Sequence, residues 1–126
     1  MDENEISAVV VDAAIEVHRE LGGPGLLESV YEESLVYEIQ ARGLELSRQV
    51  FVPLTYKGRM LKTDLRLDLL VEQKVVVECK ATALNDPISA AQTLTYLRLL
   101  NLKLGMIVNF GRSRVSDGIK RVVNNL

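Results

Sequence analysis

Two acidic residues and a lysine interrupt otherwise apolar runs near the middle of the chain. Asp68 lies within a leucine run, and Glu78 and Lys80 closely follow three consecutive valines. Burying an unpaired ionised side chain is costly, so charges in such runs need a partner. Glu78 and Lys80 are two residues apart and therefore share one face of a strand. If Asp68 joins them from a neighbouring strand, two carboxylates and an ammonium group converge.

Such a cluster could bind a divalent metal ion and support hydrolysis. Two adjacent carboxylates repel each other unless a cation lies between them, and their hard oxygens suit Mg²⁺. A lysine beside the metal can hold a water molecule, help to lower its pKa or stabilise a pentavalent phosphate. The alternative is a structural ion pair, in which a buried Lys80 neutralises Glu78 or Asp68.

Glu28 follows a stretch, residues 22–25, that contains three glycines and one proline. With Gly25 as the N-cap of a helix, Glu28 could bond back to the cap amide, and its charge suits a helix N-terminus. The alternative is that the glycines let the chain turn sharply and deliver Glu28 to the edge of the sheet. Tyr31 shares a helical face with Glu28, and we interpret it as a core anchor.

Hydrophobic periodicity and turn signals predict the elements that position these side chains. The expected elements are helices over 4–21, 26–41 and 87–102 and strands over 49–56, 65–71, 74–81 and 104–110. Asn85-Asp86-Pro87 marks the start of the third helix, with Asp86 as its N-cap and Pro87 at its first position. The pattern over 115–123 favours neither helix nor strand.

The connection between the second and third strands decides whether the carboxylates can meet. In an antiparallel pair, opposed residues share a face and their numbers have a constant sum. A two-residue turn at Glu72 and Gln73 would leave Asp68 and Glu78 on opposite faces. We therefore predict a bulge or a three-residue loop at 72–74.

The expected fold is α/β, with a mixed sheet flanked by helices and the order α-α-β-β-β-α-β. A helix between the last two strands favours a parallel, right-handed crossover. The 126 residues predict a single domain over 1–126, and the net charge of −2 argues against a chain that coats nucleic acid by charge alone. One cysteine, no apolar run long enough to span a bilayer and a polar N-terminus predict a cytoplasmic protein without membrane association.

Three short motifs resemble those of a known family. Asp68, nine intervening residues and the triplet ECK at 78–80 resemble the D…(D/E)xK signature of the PD-(D/E)xK nuclease superfamily. The segment GLLESVY at 25–31 resembles the GxxExxY motif of one family within it, and QTLTY at 92–96 resembles a QxxxY element. The resemblance covers about 15–110. Two departures are Cys79 at a position that is usually apolar and Leu67 in place of the PD proline.

The resemblance implies a restriction-endonuclease-like core and a Mg²⁺-dependent nuclease, with Mn²⁺ as a substitute ion. Asp68 and Glu78 would hold the metal, and the backbone carbonyl of Cys79 would add a ligand. Glu28 would assist, directly or through water. Lys80 would orient a metal-activated water that hydrolyses phosphodiester bonds of nucleic acid, with DNA as the expected substrate.

The QxxxY element implies two substrate-positioning residues. Gln92 would lie near the metal waters or the DNA backbone, and Tyr96, on the same helical face, would point toward the substrate. A half-buried packing role remains the alternative for Tyr96. His18, the only histidine, is either a metal ligand, as in some relatives, or a surface or capping group.

The partners and the alternative function follow from size and charge. Basic side chains that could contact phosphates are Lys57, Arg59, Lys62, Arg66, Arg112, Arg114, Lys120 and Arg121. The small size leaves little room for a specificity element, so a homodimer or a partner protein is expected. The alternative function is a catalytically inactive nuclease-fold module for nucleic-acid binding or protein assembly.

Overall fold

The structure, a computed structural model, describes residues 1–84 and 86–126. Its elements in chain order are α1 (Glu3–Glu20), α2 (Glu28–Ala41), β1 (Leu46–Val52), β2 (Thr55–Tyr56), β3 (Arg59–Met60), β4 (Leu65–Val71), β5 (Val75–Lys80), α3 (Pro87–Leu100), β6 (Leu104–Asn109), a 3-10 helix (Val115–Gly118) and β7 (Ile119–Val123). Five strands form one sheet in the order β1-β4-β5-β6-β7, and β2 and β3 form a separate hairpin. Only the β5–β6 pair of the large sheet is parallel. The predicted mixed-sheet α/β, restriction-endonuclease-like fold is confirmed.

Two apolar cores cover the two faces of the sheet. The α1–α2 core packs both N-terminal helices against one face, and its strand residues are Leu69, Val71, Val75, Val77, Cys79, Leu104, Met106 and Val108. The α3 core packs Tyr96 and Leu97 against the other face, through Val52, Leu67, Leu70, Val76, Ile107 and Val122. The run 75–77 therefore alternates between the cores, as expected for a strand that is covered on both sides.

The α3 crossover follows the predicted signals. Asp86 is the N-cap and accepts a hydrogen bond from the Ile88 amide, and Pro87 is the first helical residue. Asn85, the first residue of the predicted start signal, lies outside the described residues. The helix connects β5 to the parallel β6, which confirms the crossover, and it approaches β6 closely at Gly105. A Cβ atom at that position would lie 2.5 Å from Thr93 Cγ2.

The first predicted strand and the C-terminal segment differ most from the sequence-based expectation. The strand predicted over 49–56 begins earlier, at Leu46, and ends at Val52, because Pro53 has no amide to continue a ladder. A short hairpin, β2–β3, follows instead. The C-terminal segment forms the 3-10 helix and an edge strand, β7, whose single buried residue, Val122, supplies too little periodicity to be recognised. No helix within the described ranges is long and apolar enough to cross a membrane.

Candidate active site

The turn between β4 and β5 has the odd number of residues that convergence of the carboxylates requires. Val71 pairs with Val75, which leaves a three-residue connection over 72–74, as predicted. Glu72 and Gln73 both have left-handed backbone angles, with φ of 53° and 56°. Continuing the same register places Asp68 opposite Glu78.

The two carboxylates meet where the β4–β5 ladder ends. The last paired residues before this point are Leu69 and Val77. Beyond them, the Cys79 amide donates to Asp68 Oδ2 at 2.8 Å, and the Asp68 amide lies 3.4 Å from Glu78 Oε2. Beyond the last paired residues, side-chain oxygens of Asp68 and Glu78 therefore accept from backbone amides where strand carbonyls would otherwise do so. These bonds hold the two side chains next to each other at the point where β4 and β5 separate.

A change of face in β4 explains how Asp68 reaches this opening. Leu69 packs in the α1–α2 core, whereas Leu67 packs in the α3 core, although residues two apart in a regular strand share a face. The strand therefore rotates at Asp68. The position opposite it in β1, between the Arg48–Leu69 and Val50–Leu67 pairs, is Gln49, whose φ of 54° marks a matching irregularity.

Glu78 carries the strongest electrostatic perturbation of the cluster. Its exposed fraction is only 7%, and its Oε1 atom is buried without a hydrogen-bond partner. Burial, and then the adjacent charge of Asp68, raises the pKa of Glu78 to about 9. The protein alone therefore favours the protonated form of this carboxyl at neutral pH. A divalent cation at Oε1 would displace the proton, offset the repulsion between the two ionised carboxylates and satisfy the buried oxygen.

Lys80 lies on the same face of β5 as Glu78, two residues further along, and its residue is partly exposed. Its charge opposes the rise in the pKa of both Glu78 and Glu28, so its ammonium group lies within electrostatic reach of both carboxyls. No ion pair in the described ranges involves Lys80. The structural ion pair considered above is therefore not formed as a direct contact.

Glu28 is the first residue of α2 and not the third, so the expectation that Gly25 is the N-cap is wrong. The N-cap is Leu27, which makes no side-chain cap bond. Glu28 and Asp68 line one open cavity of about 590 Å³. Burial raises the pKa of Glu28, the charge of Lys80 lowers it and the charge of Asp68 raises it. The structure thus brings Glu28 to the Asp68–Lys80 neighbourhood.

Tyr31 fixes the glycine-rich segment that precedes Glu28. Its hydroxyl donates to the Gly23 carbonyl at 2.7 Å and accepts from the Leu26 amide at 3.2 Å. Its fully buried ring stacks on Phe110 at 4.7 Å between centroids. The core-anchor interpretation of Tyr31 is confirmed, and the anchor is also what orients the start of α2.

The other predicted site residues have different surroundings. Cys79 is fully buried in the α1–α2 core, and burial raises the pKa of its thiol. Burial also raises the pKa of Tyr96, as do the charges of Glu78 and Asp68, so Tyr96 borders the carboxylate pair although it is only 4% exposed. Gln92 is exposed one turn earlier on α3.

His18 lines a surface depression that includes none of Glu28, Asp68, Glu78 and Lys80. Its Nε2 is 3.1 Å from the Phe110 carbonyl, which can only accept, so Nε2 carries the proton. The ring is 7% exposed and lines this depression with Arg19 and Arg114. The surface-group interpretation is wrong because α1 packs against the end of β6, and the observed contact is structural.

Sequence reasoning missed two buried polar residues beside the cluster. Glu32, one turn after Glu28, is 6% exposed and lies 2.8 Å from Arg48 Nε and 3.0 Å from Gln49 Nε2. Asn109 pairs with Lys80 across β5 and β6, and its side chain bonds the amide and carbonyl of Thr82. Glu32 could have been found from the sequence, because residues four apart on a helix share a face and Glu28 was already a candidate. For Asn109 the sequence offered only its position at the end of an apolar strand.

The donor chemistry suits a hard cation, although the protein alone does not form a closed cage. Across the described ranges, no group of three or more His, Cys, Asp or Glu side chains is arranged to hold a metal ion. Mg²⁺ commonly takes only one or two protein carboxylates and keeps several waters. Asp68 and the unpartnered Glu78 Oε1 meet that lower requirement.

Comparison with known proteins identifies one family. Residues 4–122 match a family model described as PD-(D/E)XK nuclease superfamily. No curated protein and no solved structure matches the chain. The match covers most of both sheet faces and the whole cluster described above.

Proposed function

Because the chain belongs to the PD-(D/E)XK nuclease superfamily, we propose that it hydrolyses phosphodiester bonds of DNA with a divalent metal ion. Within the superfamily we assign it to the GxxExxY family, on the segment 25–31. The proposed ion is Mg²⁺, for which Mn²⁺ can substitute. The superfamily acts generally on nucleic acids, and the choice of DNA, of the ion and of the residues is our proposal.

One observation carries the metal assignment. Glu78 Oε1 is buried with no hydrogen-bond partner, and Asp68 supplies a second carboxylate beside it. An unmade bond on a buried acidic group is unfavourable unless something else satisfies it. A divalent ion held by Asp68 and Glu78 would do so, with the Cys79 carbonyl as a further ligand and Glu28 bound directly or through water.

The remaining residues have roles that their positions support. A bound divalent ion polarises a phosphate oxygen and lowers the pKa of water. The Lys80 ammonium, which is not neutralised by a direct ion pair, donates hydrogen bonds to the attacking water or to the developing phosphate charge. Gln92 and Tyr96 position the substrate strand along α3. The Glu28 carboxylate assists beside Lys80.

The organisation of the protein is also part of the proposal. We propose that residues 1–126 form a single domain, because the two cores share the same central strands. The domain is small for a nuclease with sequence preference, so a homodimer or a partner protein would supply further contacts. The single thiol, Cys79, is buried, which is compatible with a reducing cytoplasm.

A cleavage screen tests the nuclease assignment. Labelled single-stranded, double-stranded and branched DNA and RNA are incubated with Mg²⁺, with Mn²⁺ or with EDTA. We expect metal-dependent cleavage of DNA that Asp68→Asn and Lys80→Ala each reduce by at least about a hundredfold, the usual range for groups that stabilise developing charge. The matched controls are Asp12→Asn and Lys74→Ala, which change exposed residues of the same types outside the cluster.

The same variants separate the enzyme from an inactive nuclease-fold module. Equal cleavage by Asp68→Asn and by the parent would refute the assigned site. Nucleic-acid binding without any cleavage, together with unchanged Mg²⁺ affinity in Asp68→Asn, would support the inactive module.

A further inference from the structure

A small basic hairpin stands away from both cores of the protein. We call residues 53–64, which comprise β2, β3 and their flanks, the basic hairpin. Eleven of these residues are exposed, and the other, Leu54, is partly exposed. The segment carries Lys57, Arg59 and Lys62 against one acidic residue, Asp64, in a chain whose net charge is −2. It is therefore a positive region on an acidic protein.

The positive charges of the basic hairpin are not neutralised by the protein. Asp64 pairs with Arg66, outside the hairpin, at 3.1 Å. In the part of the chain that the structure describes, no ion pair involves Lys57, Arg59 or Lys62. Free cations on an exposed ribbon are available to phosphate groups.

An exposed aromatic ring lies among these cations. Tyr56 is 61% exposed, and Lys57 Nζ lies 5.5 Å from the centroid of its ring. Arg59 is the cross-strand partner of Tyr56, so the two side chains share a face of the hairpin. An aromatic ring flanked by basic side chains is the arrangement on which nucleobases stack while the adjoining phosphates are bound.

The basic hairpin projects from the same end of the sheet as the carboxylate cluster. It leads into β4 at Leu65, three residues before Asp68, which is about 10 Å along a strand. Because β5 is antiparallel to β4, its end at Lys80 points the same way. A strand whose phosphate lies at Asp68 and Lys80 can therefore extend along the hairpin.

We propose that the basic hairpin binds the substrate strand beside the cleavage site, with an unpaired base stacked on Tyr56. Phosphates of the same strand contact Lys57, Arg59 and Lys62. The face of a base is free for stacking only where its neighbour in the strand is absent or displaced, so the substrate carries a single-stranded segment next to the scissile bond. The adjacency to cleavage rests on the proposed function, whereas the binding itself does not.

Equilibrium binding tests the stacking contact without requiring cleavage. Fluorescence anisotropy in EDTA compares a labelled single-stranded DNA oligonucleotide with the same sequence as a blunt duplex. We expect Tyr56→Ala to weaken single-strand binding by at least about fivefold, the lower end for a base–aromatic stack, and to change duplex binding less. Tyr56→Phe should keep the affinity. Tyr37→Ala removes a similarly exposed tyrosine, 69% accessible on α2, and should have no effect.

Salt dependence tests the phosphate contacts. In the double variant Lys57→Ala/Arg59→Ala, the slope of log affinity against log salt should fall by about 1.4, because each single-strand phosphate contact contributes about 0.7. The matched control, Lys74→Ala/Lys103→Ala, removes the same charge at the opposite end of β5 and β6. An equal decrease of this slope in both double variants would show that only the net charge of the protein matters, and it would overturn the proposal.

The remaining outcomes separate this proposal from the nuclease assignment. Loss of single-strand binding in Tyr56→Ala, with no cleavage by any form of the protein, would support the hairpin and refute the nuclease. Cleavage by the parent that is unchanged in Tyr56→Ala, with unchanged affinity, would refute the hairpin alone. A parent that binds neither oligonucleotide in EDTA would refute the hairpin contact, and absence of metal-dependent cleavage in the screen would refute the nuclease.

Discussion

The proposed chemistry of this protein depends on one buried acidic residue, Glu78. Glu78 is buried beside Asp68 with an oxygen that has no partner, and its pKa is raised to about 9. In a purely structural site such a group would be a liability, since an apolar residue of similar size would fill the space without the desolvation cost. A bound cation would offset this desolvation cost, and the arrangement therefore favours a functional interpretation over a structural one.

The pH dependence of stability should reveal this cost. Because the native carboxyl of Glu78 has a pKa of about 9, above its ordinary value of 4.5, the native state holds more protons than the unfolded state between these values. The free energy of unfolding of the metal-free protein should therefore fall as the pH rises from about 5 to about 9. Glu78→Gln should remove this component, so it should match the parent near pH 5 and exceed it near pH 9.

Urea unfolding in EDTA at pH 5, 7 and 9 measures the effect. Glu33→Gln, at an exposed position on α2, is the control and should follow the parent at each pH. A Glu78→Gln variant that is less stable than the parent at pH 9 would contradict the raised pKa.

At the scale of elements, two connections determine where the acidic groups lie. The three-residue turn over 72–74 sets Asp68 opposite Glu78, and a shorter turn would reverse the faces. The glycine-rich segment before α2 is held by the Tyr31 hydroxyl, which contacts both Gly23 and Leu26. The site therefore depends on loops whose geometry is maintained by the core.

Removing one hydroxyl should loosen the second connection. Tyr31→Phe keeps the ring that stacks on Phe110 but leaves the Gly23 carbonyl and the Leu26 amide without that partner. We expect the free energy of unfolding to fall by about 1–2 kcal/mol, the usual cost of such losses. Cleavage should fall further than this loss of stability explains, because the start of α2 is no longer oriented.

The measurements are chemical denaturation and single-turnover cleavage under conditions where both proteins are fully folded. Tyr37→Phe alters an exposed tyrosine of the same helix and should change neither quantity. Unchanged single-turnover cleavage in Tyr31→Phe would contradict a positioning role for this hydroxyl.

At the scale of the molecule, both cores are built on the same strands. Val75, Val76 and Val77 alternate between the α1–α2 core and the α3 core, and β6 contributes to both as well. Local unfolding of either set of helices would expose apolar residues of the central strands to water. The carboxylate cluster lies at one end of this shared sheet, so binding there should stabilise the whole fold.

Thermal and urea unfolding should accordingly show one cooperative transition for residues 1–126. Mg²⁺ at about a hundred times its dissociation constant should raise the free energy of unfolding by about 2.7 kcal/mol, because it binds only the native state. Asp68→Asn should lose this gain, and Asp64→Asn should retain it. Two separate transitions would contradict the single domain, and an equal gain in both variants would contradict the assigned ligands.

Much of this protein could be predicted from local patterns. Alternating and helical periodicity predicted the large elements, Asp86-Pro87 predicted the start of α3, and charges within apolar runs singled out Asp68, Glu78 and Lys80. These signals can be read from the sequence because a strand or helix buries one of its faces, which sets the spacing of its apolar residues. A charged residue within an apolar run stands out because burying an unpaired charge is costly. The odd number of residues in the β4–β5 turn was predicted from the requirement that Asp68 and Glu78 share one face of the sheet.

Other features were decided only by the tertiary structure. The left-handed angle at Gln49 and the change of face at Asp68 depend on how β1 and β4 twist together. Residues 119–123 form the strand β7 because they hydrogen-bond to the edge of β6. His18 has a structural contact because α1 places its ring next to the Phe110 carbonyl. In each case the deciding partner lies far away along the chain, so no local pattern in the sequence could report it.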